Sequence, residues 1–304
     1  MYDIVIIGGG PAGMTAALYA RRNGKSALVI EKGGFGGQIT YSPRVQNFPG
    51  MFSMSGNEFA DRMLEQIMAQ GADVEVATAV EIRSENTKKT VLTEEGGLYE
   101  ARAVILAAGV KHRMLGLPGE TELVGNGISF CAVCDGEYYR GQTVAVAGGG
   151  NSALQEATLL ADLCKEVILV QDLDSFTGEK KLTEALLDRP NVRAVTGTLI
   201  ESINAPGGSI HSLTLRKKAT GETSELLCDG LFVAVGLIPE NETFKNVVPL
   251  DSHGYAASGE DCETGTPGIF VAGDCRAKQV RQLTTAVADG AVAALAACRY
   301  IDGR

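Results

Sequence analysis

The sequence predicts an α/β protein built from two Rossmann-like (ββα-type) nucleotide-binding domains with three-layer architecture, the second inserted into the first. Three observations carry that expectation. An apolar strand, a glycine-rich turn and a helix occur twice, beginning at Asp3 and again at Thr143. Extended segments broken by Pro/Gly turns follow each copy. The strand-like Phe270-Val271-Ala272-Gly273-Asp274 and an alanine-rich helix, about Thr284 to Tyr300, then complete a first domain that the second interrupts.

The first unit runs Asp3-Ile4-Val5-Ile6-Ile7, Gly8-Gly9-Gly10-Pro11-Ala12-Gly13, a helix to about Asn23 and the strand Ala27-Leu28-Val29-Ile30-Glu31. A glycine motif that follows a strand and opens a helix stands in the context that makes it a dinucleotide fingerprint. Its glycines permit the tight turn and let backbone N–H groups approach a pyrophosphate. Glu31 lies 23 residues after Gly8, where an acid accepts hydrogen bonds from a ribose diol, as in FAD or NAD; a solvated strand-end glutamate is the plainer alternative. Val74 to Val80, Val91 to Leu92 and Ala103 to Leu106 read as extended. Linkers are expected near Lys111–Pro118 and Ile238–Thr243, giving domains 1–113 with 243–304, and 114–242.

Cys131-Ala132-Val133-Cys134 precedes the second fingerprint. This spacing suits a dithiol that closes to a disulfide and reopens. Half of a zinc site would need two more ligands at metal spacing, and the sequence has no second CxxC or HxxxH, so no metal is expected. Cys164, Cys228, Cys262, Cys275 and Cys298 stand singly and read as small, reduced side chains. His112, His211 and His253 form no triad or metal pattern and read as structural or surface residues.

The second unit runs Thr143-Val144-Ala145-Val146-Ala147, Gly148-Gly149-Gly150-Asn151-Ser152-Ala153, a helix to about Leu163 and the strand Val167 to Gln171. The position equivalent to Glu31 is Gln171, followed by Asp172-Leu173-Asp174-Ser175-Phe176-Thr177. An NADPH 2′-phosphate needs Arg or Lys there, and none occurs before Lys180. Ile210 to Leu215 and Leu226 to Val235 read as extended.

With 304 residues the chain is long enough for two cores. Its net charge of −10 argues against general nucleic-acid binding and gives no sign of a membrane surface. No apolar run has the length of a membrane span, and Met1 leads directly into a strand, so no signal peptide and a cytoplasmic location are expected.

These motifs, with Gly36-Gly37-Gln38-Ile39-Thr40, Asn47-Phe48-Pro49-Gly50, Ala107-Ala108-Gly109, Cys131 to Gly136, Gly273-Asp274-Cys275 and Arg281-Gln282, resemble the low-molecular-weight thioredoxin reductases, within the flavoprotein disulfide reductases. The likeness spans nearly the whole chain. It implies that Gly8, Gly10, Gly13 and Glu31 hold the ADP half of FAD, that Gln38 and Asn47 lie near the flavin and that Asp274 bonds the ribityl chain. Arg281, Gln282 and Leu283 would approach the isoalloxazine, with Pro11, Ala12, Lys32, Gly37, Ala108, Gly109 and Gly273 completing the cofactor set. Cys134 resembles the cysteine that meets the flavin, Cys131 the one that attacks the partner disulfide, and Asp135 the acid that manages the thiol proton; Asp135-Gly136 is also a common turn pair. Thioredoxin as substrate, a homodimer and rotation of one domain against the other are further implications.

NADPH-dependent members carry His-Arg-Arg and a further Arg where this chain has Gln171, Asp172, Leu173 and Thr177. The expected donor is therefore reduced ferredoxin, as in the similar ferredoxin-dependent flavin thioredoxin reductases. NADH with Asp172 on the ribose is second and NADPH third, so NAD(P)H binding is in question. A reductase of another disulfide, a dithiol oxidase and a flavin-binding sensor without disulfide chemistry are the other classes; the CxxC speaks against the last.

Overall fold

The computed structural model describes residues 1–42 and 44–303, and they form two compact units, Met1–Lys111 with Ile238–Arg304 and His112–Leu237. The units change over at 111/112 and 237/238, two and five residues before the expected boundaries. The crossings fall in two short strands, Val110–His112 and Leu237–Pro239, which pair with each other.

In the first unit, strands Asp73–Val76, Ala27–Glu31, Tyr2–Ile7, Leu98–Leu106 and Ile269–Val271 lie side by side and parallel. Strand side chains alternate between faces, so each central strand feeds two cores. Ile4, Ile6, Val29 and Ile105 pack against helices Pro11–Arg22 and Leu283–Asp302 through Met14, Ala16, Ala293 and Ala297. Val5, Ile7, Leu28 and Val104 face Ile82, Val91, Phe244 and Val248 on the other side. The beginning of Leu98–Leu106 pairs antiparallel with Lys88–Thr93, which pairs with Ala79–Glu85. These layers match the expected ββα arrangement.

The second unit repeats the plan with strands Val192–Val195, Glu166–Val170, Thr143–Ala147, Gly230–Val233 and Ile128–Ser129 in parallel. Helices Asn151–Ala161 and Lys180–Leu187 contribute Leu154, Ala157, Leu160 and Leu186 to one core. Thr198–Asn204, Ser212–Lys217 and Thr223–Leu227 form an antiparallel sheet whose Leu213, Leu215 and Leu226 close the other.

Two extended segments expected as single strands are split. Val74 to Val80 divides at Ala77 and Thr78, because the chain leaves the parallel sheet there for the antiparallel one. Leu226 to Val235 divides at Cys228 and Asp229, where the Asp229 N–H turns to the carbonyl of Thr143. Helix Gly56–Ala69 adds an element beyond those expected above; Ser55 caps it by accepting the Glu58 N–H, the signature of a helix start.

Candidate active site

The first glycine turn is forced by close backbone approach. A side chain at Gly8 (φ +110°) would lie 2.2 Å from the Ala107 carbonyl oxygen, and one at Gly13 1.9 Å from that of Gly8. Pro11 opens the helix, where its missing N–H costs no hydrogen bond. The Glu31 carboxylate accepts the N–H groups of Gly9 at 2.6 Å and Gly33 at 2.9 Å. The acid therefore faces the turn, as ribose recognition requires. Lys32 instead pairs with Glu240 at 2.7 Å.

Strand Leu98–Leu106 delivers Ala107, Ala108 and Gly109 beside this turn, and strand Ile269–Val271 delivers Gly273, Asp274 and Cys275. Asp274 is largely enclosed, and burial pushes its carboxyl above the usual range against the opposing charge of Lys278, 3.3 Å away. Its buried Oδ1 is the oxygen that Lys278 approaches, and that contact lacks hydrogen-bond geometry. Arg281 donates to the Asp274 carbonyl at 3.1 Å and lies over the Tyr255 ring, 4.1 Å from its centre. Gln282 caps helix Leu283–Asp302 in a reciprocal box with Thr285 and accepts from Asn47 at 3.3 Å. Gly37 and Gln38 begin a short helical turn, Gly37–Tyr41. Asp289 is a feature no local motif announced: Arg276 at 2.8 Å and Lys278 at 3.0 Å converge on it, and it accepts the Gly273 N–H at 3.1 Å.

In the second unit Cys131 and Cys134 form a disulfide, with Cα atoms 5.3 Å apart. Both are half-buried, and Cys131 caps the short helix Ala132–Asp135. Ser129 Oγ accepts the Cys131 N–H at 3.1 Å and donates to Asp135 Oδ2 at 2.6 Å. Asp135 Oδ1 is buried without a partner. Burial pushes the Asp135 carboxyl up, and the Ser129 hydrogen bond only partly opposes this. A carboxyl whose charged form is disfavoured, held beside a disulfide, is suited to exchanging a proton with the thiols.

The second glycine turn copies the first. A side chain at Gly148 (φ +127°) would meet the Ala234 carbonyl oxygen at 2.5 Å. The Gln171 side chain, almost fully buried, lies over Gly149, and Thr177 and Gly178 donate to the Gly149 carbonyl at 2.9 and 3.0 Å. Asp172 is half-exposed, and Lys218 comes within 3.9 Å of it from the turn after strand Ser212–Lys217. That cation could not be found from local spacing.

The remaining candidates take structural places. His112 stacks on Phe130 with ring centres 4.2 Å apart, and burial pulls its pKa down to about 4, leaving it neutral. The five single cysteines are all buried. Burial pushes Cys164 and Cys275 up to about 11, and Cys228 and Cys262 up to about 12, so none is a ready nucleophile. Among the described residues no cluster of metal-ligating side chains occurs and no helix is long and apolar enough to cross a membrane.

Residues 2–290 match the family described as pyridine nucleotide-disulphide oxidoreductase. The chain is 37% identical over 302 residues to a thioredoxin reductase of Bacillus subtilis, covering 99% of this chain and 95% of that one. It is 39% identical over 303 residues to a 34.2 kDa protein in the rubredoxin operon of Clostridium pasteurianum, covering 99% and 98%. The crystal structure of thioredoxin reductase from Streptococcus pyogenes superposes with a TM-score of 0.94 at 37% identity, covering 100% of this chain and 99% of that one. With its glycine turns and its disulfide in place, the chain belongs to the pyridine nucleotide-disulphide oxidoreductase family of flavoprotein disulfide reductases, alongside the low-molecular-weight thioredoxin reductases.

Proposed function

We propose that the protein is an FAD-dependent thioredoxin-disulfide reductase that works through the Cys131–Cys134 pair, with reduced ferredoxin as electron donor. The observation that carries this reading is the half-buried disulfide with Asp135 held beside it by Ser129, in a chain of this family.

The first unit fits FAD. The Gly8, Gly10 and Gly13 turn and the helix starting with Pro11 and Ala12 would take the pyrophosphate, and Glu31 the ribose, with Lys32 and Gly37 at the rim. The buried Asp274 oxygen, near the Lys278 charge but without a well-formed hydrogen bond, suits a ribityl hydroxyl, which would donate to it. Gln38, Asn47, Ala108, Gly109, Gly273, Arg281, Gln282 and Leu283 would surround the rest. When bound, FAD would supply two-electron transfer between the donor and the disulfide. Cys134 would face the flavin, Cys131 would attack the disulfide of thioredoxin, and Asp135 would hold the proton exchanged with the thiols. Turnover requires the pair to meet flavin and thioredoxin in succession, which rotation of one unit against the other would provide. A homodimer and a cytoplasmic location complete the reading; five buried, unpaired cysteines fit a reducing compartment.

The ferredoxin donor is supported by Gln171, Asp172, Leu173 and Thr177, which offer no cation to a 2′-phosphate. A nicotinamide donor is the second reading, favoured by the well-built turn at Gly148–Gly150 and by the family's usual chemistry. Anaerobic titration of the flavoprotein with NADPH, NADH and reduced ferredoxin, followed by thioredoxin, tests both. Bleaching of the flavin by ferredoxin alone supports the first reading. Rapid bleaching by either nicotinamide replaces it with the second, and failure to reduce thioredoxin after bleaching removes the reductase reading.

A further inference from the structure

On the reading that Cys131–Cys134 cycles between disulfide and dithiol, we propose that Glu156 is a positioning residue of that pair, fixing the Cys131–Ala132 peptide and tuning by its charge how readily the opened pair holds a thiolate. Glu156 lies on helix Asn151–Ala161, beyond the glycine turn that opens it. Its Oε2 accepts the N–H of Ala132, the residue between Cys131 and Val133. Ala132 is buried in the same core as Leu154, Ala157 and Leu160, so the helix of the second glycine turn and the cysteine turn are packed as one piece. The cysteine turn is thus held from two sides, by Ser129 on the Cys131 N–H and by Glu156 on the next one.

The surroundings make the Glu156 charge consequential. Burial raises its carboxyl, the Ala132 N–H opposes this, and the nearby Asp135 charge adds to it. The groups that interact with Asp135 besides Glu156 are neutral: the Ser129 hydroxyl and Tyr139, whose phenol is pushed up to about 12 chiefly by burial. Among the described residues no ion pair involves either Asp135 or Glu156.

Opening the disulfide consumes two electrons, from the reduced flavin in turnover or from dithiothreitol in the test below. The Sγ–Sγ bond breaks, both sulfurs take an electron pair, and at least one takes up a proton at neutral pH. A carboxylate held one peptide away disfavours the remaining thiolate; a proton on that carboxyl removes the penalty. Glu156 and Asp135 would therefore share the proton uptake that accompanies reduction.

The experiment reduces the flavin-loaded full-length protein with dithiothreitol and follows alkylation of Cys131 and Cys134 by iodoacetamide against pH, with mass spectrometry assigning the site. Glu156→Gln keeps an acceptor for the Ala132 N–H but removes the charge. It is expected to shift the alkylation profile to lower pH and speed alkylation at pH 7 by about three- to tenfold. Glu156→Ala should shift it in the same direction, and serves alone if the Gln variant fails to fold. A Gln profile superimposed on the wild type, or a shift confined to the Ala variant, would overturn the charge role. If the wild-type pair does not open at all, the parent reading falls and this inference with it.

Discussion

Ser129 Oγ stands 2.6 Å from Asp135 Oδ2 while it accepts the Cys131 N–H, so one hydroxyl ties the predicted acid to the predicted attacking cysteine. The other Asp135 oxygen is buried and unpartnered, which disfavours the charged form. Asp135→Asn should keep the disulfide and flavin but slow thioredoxin reduction by about 10²-fold, the lower range for loss of a positioned acid. Its pH signature follows from the raised carboxyl. The stabilising contribution of a group with a raised folded pKa is present at low pH and lost as pH rises through that value. The wild type should therefore lose stability relative to Asp135→Asn as pH rises, readable as diverging Tm values.

Replacing either member of the pair separates binding from chemistry. Cys131→Ser and Cys134→Ser should each abolish electron transfer to thioredoxin while flavin absorbance stays at wild-type level. Apart from the disulfide, the Cys131 sulfur accepts the Cys134 N–H at 3.2 Å, a contact a serine oxygen can also make, so the fold should survive. Full insulin-coupled thioredoxin reduction by both variants would remove the pair from the mechanism.

Asp289 makes a different prediction, about assembly of the segment that carries Asp274. Its carboxylate is buried under Arg276 and Lys278, whose side chains are 11% and 7% exposed, and it also bonds the Gly273 N–H. Burial alone would raise its pKa, but the two cations outweigh that and hold it below the usual range. Asp289→Ala leaves the buried Arg276 without its carboxylate and Lys278 with Asp274 alone, and should cost about 3–5 kcal/mol, seen as a large Tm drop and faster release of flavin. A group with a lowered folded pKa stabilises above its unfolded value, near 4, and loses that contribution as pH falls. Asp289→Asn should accordingly flatten the acid limb of the wild-type stability curve.

Much of this was legible because the requirements are local. Gly8 and Gly148 need positive φ and room for a carbonyl, and only glycine meets both, so each fingerprint marks its own turn. Glu31 could be placed by counting from Gly8, since strand, turn and helix have nearly fixed lengths. The splits at Ala77 and at Cys228 were not legible, because both halves of each segment are extended and apolar, and only the change of sheet divides them. Glu156, Lys218 and Asp289 lay beyond reach for another reason. Each gains meaning from a partner that tertiary packing supplies, Ala132, Asp172 and the Arg276–Lys278 pair.

The second glycine turn yields the test that bears most on the electron donor. Its backbone is as well made as the first, and what it lacks is charge: Gln171 covers Gly149, Thr177 lies near the same carbonyl, and Asp172 points a negative group into the stretch where a 2′-phosphate would need a positive one. Lys218 lies 3.9 Å from Asp172. Asp172→Arg combined with Thr177→Arg removes the repulsion, frees Lys218 and adds two guanidinium groups. If the turn is a competent nucleotide site, the double variant should bind NADPH at least about tenfold more tightly than the wild type, since one charge-assisted hydrogen bond contributes about 1.5–3 kcal/mol. Calorimetry on the oxidised protein reads this without any turnover. Unchanged, immeasurable binding would mean that Gln171 and the Thr177–Gly178 segment close the turn, leaving Gly148–Gly150 as a packing device for the helix that carries Glu156.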